Sequence, residues 1–322
     1  MSPSNEIVIK TDNLGKSYKT VDALKGLNLS VPKNSIYGFL GPNGAGKTTT
    51  IKLLLGLTQP TSGGGQVFGH DITHESIAIR RRVGYLPQDP RFYEHMTAYE
   101  TLEFVTRFYF KGPETEIRNR VSETLELVGL IDKADRPIKT FSGGERQRLG
   151  IGQAQVNYPD LLILDEPAAS LDPLGRRDVL EVMERLQKYA TVFYSTHILD
   201  DVQRVSDSVA ILNNGELVSQ GPIETLLSGS SGVAFTIKIK GDGLRIETKL
   251  KELPWVTHVQ AEELEAGTAL IVSVSDQNAA ESQLARLVLA DPDVSLLEFR
   301  RKTYELEEIF LEIVEGGKHV GK

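Results

Sequence analysis

Eight consecutive residues, Gly41–Thr48, have the composition of a phosphate-binding loop. They read Gly-Pro-Asn-Gly-Ala-Gly-Lys-Thr, which is a glycine, four residues, and then Gly-Lys-Thr. A strand-like run precedes them at 35–40, and apolar residues at helical spacing follow from Thr49 to Gly56. Glycines let the backbone bend so that successive N–H groups face one anion at a helix N-terminus. The loop therefore predicts a nucleotide phosphate site.

The residue types in this loop also predict the cofactors, ATP and Mg²⁺. Lys47 is long enough to reach the β- and γ-phosphates, and the Thr48 hydroxyl is a ligand for Mg²⁺. The predicted nucleotide contacts in the loop are Gly41, Asn43, Gly44, Ala45, Gly46, Lys47, Thr48 and Thr49.

An acidic pair follows a second strand-like run. Leu161–Leu164 is continuously apolar, which is typical of a parallel strand buried on both faces, and Asp165 and Glu166 come directly after it. Adjacent carboxylates there are costly unless they have partners. We predict that Asp165 helps hold Mg²⁺ and that Glu166 orients and deprotonates the attacking water. The alternative interpretation is a helix N-cap.

Three further residues are candidates because of where they lie in the pattern. Gln88 follows the short strand-like run 83–86, and His197 follows the run 191–195, where a γ-phosphate contact is one interpretation and a structural histidine the other. Ligands of open α/β sheets bind at the carboxyl ends of strands, which favours both positions. Tyr18 is either an adenine-stacking ring or an ordinary strand tyrosine.

Composition limits the protein class. With 322 residues, 40% hydrophobic and 25% charged, the chain is long enough for two domains of ordinary globular composition. It lacks cysteine, which excludes disulfides and thiolate metal sites. We find neither a signal peptide nor a membrane-spanning apolar run in the sequence. The net charge of −8 argues against broad nucleic-acid binding.

The pattern along the chain predicts an α/β first domain. Residues 6–34 read as antiparallel strands with a turn at Asp12–Gly15, and a second turn is predicted at Thr61–Gly65. Residues 97–157 read as largely helical, opened by the capping box Thr97–Glu100. Asn214-Gly215 predicts a hairpin turn.

The C-terminal part of the chain predicts a second, smaller domain. After a small flexible linker at 229–232, the pattern over 234–300 is β-α-β-β-α-β, which is the ferredoxin-like order. A final helix is predicted from Tyr304 to Val314.

Taken in order, these motifs resemble the ATP-binding subunit of an ABC transporter over roughly residues 6–228. The matching segments are the P-loop 41–48, the Q-loop residue Gln88, the signature 142–148, the strand and acidic pair 161–166, the D-loop 170–172 and the switch residue His197. Tyr18 lies where this family has an adenine-stacking aromatic residue. The signature departs from the usual sequence, since Glu145 stands in place of Gln and Phe141 in place of Leu.

The resemblance implies a fold, partners and roles. The fold is a P-loop ABC cassette with a mixed central sheet, an antiparallel β subdomain and a helical subdomain at about 97–157, followed by a small α+β ferredoxin-like domain. Gln88 is expected both to take part in catalysis and to bind the metal ion. The residues expected to contact the nucleotide across a dimer of two cassettes are Ser142, Gly143, Gly144 and Asp172.

The implied function is that of a transport motor. The expected partners are a second cassette, from another copy or a paralogue, and transmembrane permease subunits, with the chain peripheral on the cytoplasmic side of the membrane. The domains are expected at 1–228 for ATP binding and 233–322 for an accessory role, as in type-2 exporter ATPases for antibiotic resistance and sodium extrusion. An ATPase for cofactor or lipid maturation, or a soluble ABC ATPase without a permease, is the alternative.

Overall fold

The computed structural model describes residues 6–227, 233–264, 267–302 and Phe310. The chain divides into two compact units, Met1–Ile223 and Glu224–Lys322. The predicted linker at 229–232 lies outside the described residues, and so does the predicted final helix apart from Phe310. Among the described residues we find no helix whose length and hydropathy would let it cross a bilayer.

The first unit alternates strands and helices along the chain. Its strands are β1 (Ile7–Tyr18), β2 (Val21–Leu27), β3 (Ser30–Pro32), β4 (Ile36–Leu40), β5 (Ser62–Val67), β6 (His70–Asp71), β7 (Val83–Leu86), β8 (Leu161–Asp165), β9 (Thr191–Thr196), β10 (Ser208–Asn213) and β11 (Glu216–Pro222). Its helices are α1 (Lys47–Leu54), α2 (Ser76–Arg80), α3 (Ala98–Tyr109), α4 (Glu114–Leu127), α5 (Gly143–Gln155), α6 (Pro173–Leu186) and α7 (Leu199–Val205), and α8 (Ile223–Leu227) follows.

A mixed sheet positions the predicted site. Within the described residues it has six strands in the order β11-β10-β4-β9-β8-β7, of which only the β10–β11 pair is antiparallel. Strands β4, β8 and β9 are buried throughout, as expected for parallel strands covered on both faces. The carboxyl ends of β4, β9, β8 and β7 therefore lie side by side, and the loops that follow them meet at one edge.

A second layer of antiparallel strands contains β1, which pairs with β2, β3 and β5. The predicted turn at Asp12–Gly15 is wrong, because β1 runs through it with a shift of register opposite β5 and with Asn13 at φ 46°. The predicted turn at Thr61–Gly65 is also wrong from Ser62 onward, since β5 begins there. Both segments carry turn residues, but hydrogen bonds to neighbouring strands keep them in the sheet as an irregular stretch.

The helical segment predicted at 97–157 contains α3, α4 and α5. The capping box at Thr97 and Glu100 is present at the start of α3. The predicted hairpin between β10 and β11 is also present, and Asn214 and Gly215 both have positive φ at its turn.

The second unit has the predicted β-α-β-β-α-β order. Its elements are β12 (Val233–Lys240), α9 (Gly243–Lys251), β13 (Val256–Leu264), β14 (Gly267–Val274), α10 (Gln277–Leu289) and β15 (Ser295–Arg301). The described strands pair antiparallel in the order β13-β14-β12-β15, which is the ferredoxin-like arrangement. Apolar residues of both helices and of the sheet form one core.

Candidate functional site

The loop Gly41–Thr48 joins β4 to α1 and leaves the start of this helix uncapped. Gly46 is the N-cap residue, and no side chain accepts a hydrogen bond from the N–H groups of the first turn. Its φ is 109°, and a Cβ there would lie 2.5 Å from the carbonyl oxygen of Ala23. Only glycine fits this position, and it leaves the helix N-terminus free to bind an anion.

Lys47 is buried in the loop and forms an ion pair with Glu166. Its Nζ donates to the carbonyl oxygens of Gly41 at 2.7 Å and Pro42 at 3.3 Å, and it lies 3.0 Å from Glu166 Oε1. The relative exposure of Lys47 is 5% and that of Glu166 is 6%. Each buried charge is stabilised by the other. An anionic ligand that paired with Lys47 would therefore break the ion pair between Lys47 and Glu166.

Glu166 also contacts the residues at the end of β9. Its Oε2 lies 2.7 Å from His197 Nδ1, and its backbone N–H donates to Ser195 Oγ at 2.9 Å. Ser195 Oγ in turn donates to Asp165 Oδ1 at 2.6 Å. Glu166 has φ 51°, a conformation that non-glycine residues adopt at a cost of about 1–3 kcal/mol and that occurs often at functional sites.

These groups surround a cavity of about 320 Å³. It is lined by Ala23, Asn43, Gly44, Gly46, Lys47, Thr48, Thr49, Gln88 and Glu166. All of these except Ala23 are residues that the sequence singled out. Gly41 contributes the carbonyl that Lys47 contacts, and Ala45 accepts a hydrogen bond from Gly215 N–H at 3.1 Å. Asp165 is 1% exposed, accepts a hydrogen bond from Ser195 Oγ and is not among the lining residues.

Tyr18 lies at the end of β1, in the hairpin whose other strand carries Ala23. Its side chain is 45% exposed, and Lys16 Nζ lies 4.9 Å from the centre of its ring. It is not among the residues that line the cavity.

The signature residues form the start of α5, and none of them is among the residues that line this cavity. Ser142 Oγ accepts a hydrogen bond from Glu145 N–H at 3.2 Å, and Glu145 Oε2 accepts one from Ser142 N–H at 2.8 Å. Gly144 packs against Gly175 of α6, where a Cβ would lie 3.0 Å from the Gly175 Cα. Asp172 caps α6 by accepting from Gly175 N–H at 2.7 Å. The structure thus brings Ser142, Gly144 and Asp172 together where the starts of α5 and α6 meet, and none of the three lines the cavity beside the phosphate loop.

The unusual Glu145 is neutralised by its neighbours. It contacts Lys133 Nζ through Oε1, and Arg136 Nη1 lies 3.6 Å from the same oxygen. Burial raises the pKa of Glu145, but the hydrogen bonds from Lys133 and Ser142 and the charges of Lys133 and Arg136 together hold it below its ordinary value. The carboxylate is therefore satisfied within the chain.

Sequence reasoning missed Ser195 as part of the site. It connects Asp165 to Glu166, and both of its hydrogen bonds join residues of different strands. Its position two residues before His197, at the end of a strand next to the one carrying the acidic pair, was the available signal.

Three comparisons with known proteins agree. The profile of the ABC transporter family matches residues 24–169. A Bacillus subtilis (strain 168) protein described as an uncharacterized ABC transporter ATP-binding protein, YxlF, is 37% identical over 95% of this chain and 99% of its own. The bacitracin transport ATP-binding protein BcrA of Bacillus licheniformis is 33% identical over 96% of this chain and 98% of its own.

Among solved structures, the ATP-binding cassette MJ0796, dimeric and bound to ADP and Pi, superposes with a TM-score of 0.61 at 27% identity. That match covers 67% of this chain and 98% of the other. Both relatives match this chain over nearly its whole length, and the site geometry is that of an uncapped phosphate loop facing a buried glutamate. The chain belongs to the ABC transporter family as an ATP-binding subunit with an ATPase cassette.

Proposed function

We propose that the cavity at the start of α1 binds Mg²⁺-ATP. The uncapped N–H groups at Gly44, Gly46 and Lys47 would receive the β- and γ-phosphates, and the exposed Tyr18 ring would stack on the adenine. The Lys47 ammonium donates to the carbonyl oxygens of Gly41 and Pro42, and it would form an ion pair with the phosphates.

The donor set at this position fits Mg²⁺. Thr48 and Gln88 line the cavity, and the buried Asp165 precedes the lining residue Glu166, so the side chains offered are a hydroxyl, an amide oxygen and a carboxylate. Among the described residues there is no cluster of three or more acidic or histidine side chains that would bind a metal alone. The ion would therefore arrive with the nucleotide, where it neutralises charge on the transferring phosphoryl group.

Hydrolysis would begin when the phosphates displace Glu166 from Lys47. The observation that carries this proposal is that Glu166 contacts both Lys47 and His197, which supports a base that would lie between the residue that binds the phosphates and the switch histidine. Glu166 would accept the proton of the attacking water, His197 would hold the carboxylate, and Gln88, which lines the same cavity, would act beside it.

The signature would act on the nucleotide of a second cassette. Ser142, Gly143, Gly144 and Asp172 lie apart from the cavity of their own chain, so they would reach a phosphate only across a dimer. The dimeric MJ0796 structure supports this arrangement. The second cassette would be another copy or a paralogue, and ATP binding would close the pair.

The remaining partners follow from the family. We infer a transmembrane permease, with the chain peripheral on the cytoplasmic face and the direction of transport outward, as in the type-2 exporter ATPases that the sequence resembles. A groove of about 380 Å³ beside Pro87, Arg91 and Tyr109 is the surface proposed for the permease, together with Phe92, Tyr93 and Met96. Residues 1–228 would then be the ATP-binding domain, and 233–322, beyond a linker at 229–232, an accessory domain that stabilises or regulates the dimer.

A Glu166→Gln variant tests the catalytic part of the proposal. Assayed in the assembled complex, it should bind ATP and turn it over about 100-fold more slowly or worse, because proton abstraction by a placed base contributes at least that much. Glu216→Gln is the matched control, since Glu216 forms an exposed ion pair with Lys25. Wild-type turnover in the Glu166→Gln complex would contradict the assignment.

Copurification from membranes tests the transport part. Tagged chain should bring down a polytopic partner, and substitution of Tyr93, which is 63% exposed, by Ala should reduce the yield of that partner. Recovery of the chain without any polytopic protein would instead favour a soluble ABC ATPase.

A further inference from the structure

Helices α6 and α7 both begin beside residues of the proposed site. The N-cap of α6 is the D-loop residue Asp172, which accepts a hydrogen bond from Gly175 N–H at 2.7 Å. Helix α7 begins at Leu199, two residues after His197, whose Nδ1 lies 2.7 Å from Glu166 Oε2. Because so short a segment joins His197 to α7, the position of this helix limits where the histidine ring can lie.

An ion pair connects the first turns of these two helices. Arg176 Nε donates to Asp201 Oδ1 at 2.5 Å, and the Arg176 backbone N–H donates to the carbonyl oxygen of Asp172 at 2.9 Å. A second ion pair between the helices, Arg204 with Glu181, is exposed, and its charged atoms are 3.9 Å apart. Arg176 and Asp201 therefore make the closer and better protected contact of the two.

The Asp201 carboxylate depends on Arg176. Asp201 is 1% exposed, and within the described residues its carboxylate accepts a hydrogen bond from Arg176 alone. Burial raises the pKa of Asp201, and the hydrogen bond and the charge of Arg176 offset part of that rise. A buried ion pair often contributes no more stability than apolar residues of similar volume, so its effect on geometry is the better explanation for its presence here.

The first turn of α6 also contacts the start of α5. A Cβ at Gly144 would lie 3.0 Å from the Cα of Gly175, so the two backbones pack directly against each other. Gly175 immediately precedes Arg176 in the sequence. The first turn of α6 therefore connects the signature on one side to the start of α7 on the other.

We propose that Arg176 and Asp201 are positioning residues for ATP hydrolysis. Their ion pair would fix the start of α7 to the start of α6, and would thereby hold His197 against Glu166 when a second cassette contacts Asp172 and the signature. Neither Arg176 nor Asp201 lines the nucleotide cavity, so loss of the pair should lower kcat and leave the affinity for ATP unchanged. This inference rests on the proposed roles of Glu166 and His197.

Two substitutions of Asp201 test the link. Asp201→Leu and Asp201→Asn both remove the buried charge, but only asparagine keeps an oxygen that can accept from Arg176. Arg176 is 28% exposed and has Asp200 at 4.0 Å, so it stays solvated in both variants. In the assembled complex, Asp201→Leu should lower kcat about 10-fold and Asp201→Asn only about 2-fold, because a small displacement of a catalytic group is costly.

Stability and ATP affinity separate this role from a structural one. The urea midpoint of Asp201→Leu should equal or exceed that of Asp201→Asn, which is the reverse of the order in kcat. The dissociation constant for ATP should be that of the wild type in both variants. Equal kcat values in the two variants, or a loss of kcat that follows the urea midpoint or the ATP affinity, would overturn the proposal.

Asp178→Asn is the matched control. Asp178 is also on α6, and its ion pairs with Arg148, at 3.6 Å, and with Arg177, at 3.8 Å, do not involve α7. The same chemical change should therefore leave kcat within about 2-fold of the wild type. A loss as large as that of Asp201→Leu would show that any charge removed near the start of α6 has this effect, and would overturn the assignment.

A double variant removes the effect of a stranded charge. Arg176→Met leaves the Asp201 carboxylate buried without a cation, so it should lower both kcat and the free energy of unfolding. Adding Asp201→Leu should restore the urea midpoint but not kcat, because α6 and α7 remain unlinked. Recovery of kcat together with stability would mean that the pair acts on the fold alone, and would overturn the proposal.

Glu166→Gln, assayed in the same complex, distinguishes failure of this inference from failure of the proposed function. Wild-type turnover by Glu166→Gln would contradict the catalytic assignment itself. Slow turnover by Glu166→Gln together with wild-type kcat in Asp201→Leu would overturn only the positioning role of Arg176 and Asp201.

Discussion

The N-termini of α1 and α5 differ in whether side chains of the protein cap the N–H groups of the first turn. At α1 the N-cap is Gly46, no side chain caps the first turn, and no acidic residue lies in it. At α5 the N-cap is Ser142, and a complete capping box with Glu145 occupies N–H groups of Ser142 and Glu145. The N–H groups at the start of α1 are thus available to bind an external anion. At α5 some of these groups already donate hydrogen bonds to side chains of the same helix terminus.

The difference explains why the phosphate loop and the signature are not interchangeable. The α1 site carries a cation, Lys47, whose partner Glu166 can be displaced, while the α5 site carries an anion, Glu145, that is fixed by Lys133. A helix N-terminus with its own carboxylate attracts phosphate less strongly. This difference supports the proposal that the signature completes a site that another loop has formed.

The largest effect is expected from Gly46→Ala. The left-handed φ strains an alanine by about 1–2 kcal/mol at Gly46 and at other positive-φ positions alike. The fall in ATP affinity, about 10-fold or more, is expected from the close contact that the new side chain makes at Gly46. The added Cβ would meet the Ala23 carbonyl oxygen at 2.5 Å, which displaces the start of α1. Gly44→Ala is the control, because Gly44 also has a positive φ but a Cβ there would meet nothing within 4 Å. Equal ATP affinities of the two variants, measured by calorimetry, would contradict the role of the close contact.

An intermediate effect is expected from Ser142→Ala. Loss of the cap should lower the free energy of unfolding by about 1 kcal/mol, as should Thr97→Ala at the equivalent capping box of α3. Urea unfolding compares the two. In the paired complex only Ser142→Ala should also reduce ATP turnover, because only that hydroxyl would face the nucleotide of a partner. A similar reduction by Thr97→Ala would mean that helix stability alone accounts for it.

The smallest effect is expected from Glu145→Gln, which keeps the capping geometry and removes the charge. The folded chain holds the pKa of Glu145 below its ordinary value of 4.5. A carboxyl of this kind stabilises the fold above its unfolded pKa and loses that contribution as pH falls through its folded pKa. The wild type should thus be the more stable at pH 7, and the urea midpoints of the two proteins should converge below pH 4.5. A difference that is constant with pH would exclude the ionised carboxylate as its source.

Local sequence was sufficient for most of the fold. The continuous apolar run Leu161–Leu164 in β8, the Asn214-Gly215 turn and the Thr97 capping box each express a short-range rule, and the structure has all of them. The predictions of turns at Asp12–Gly15 and Thr61–Gly65 were wrong because long-range pairing, and not local sequence, decides the structure there. Their residues favour turns locally, but pairing between β1 and β5 decides their conformation.

The sequence by itself determined that a phosphate loop exists and which residues follow the strand ends, because these depend on residue type and spacing. Tertiary structure alone decided that Lys47 pairs with Glu166, that Ser195 connects Asp165 to Glu166, and that Glu145 is neutralised by Lys133. Each of these contacts joins groups that distant parts of the sequence contribute. Their charges are stable in a buried site only at distances that the packed sheet and helices set.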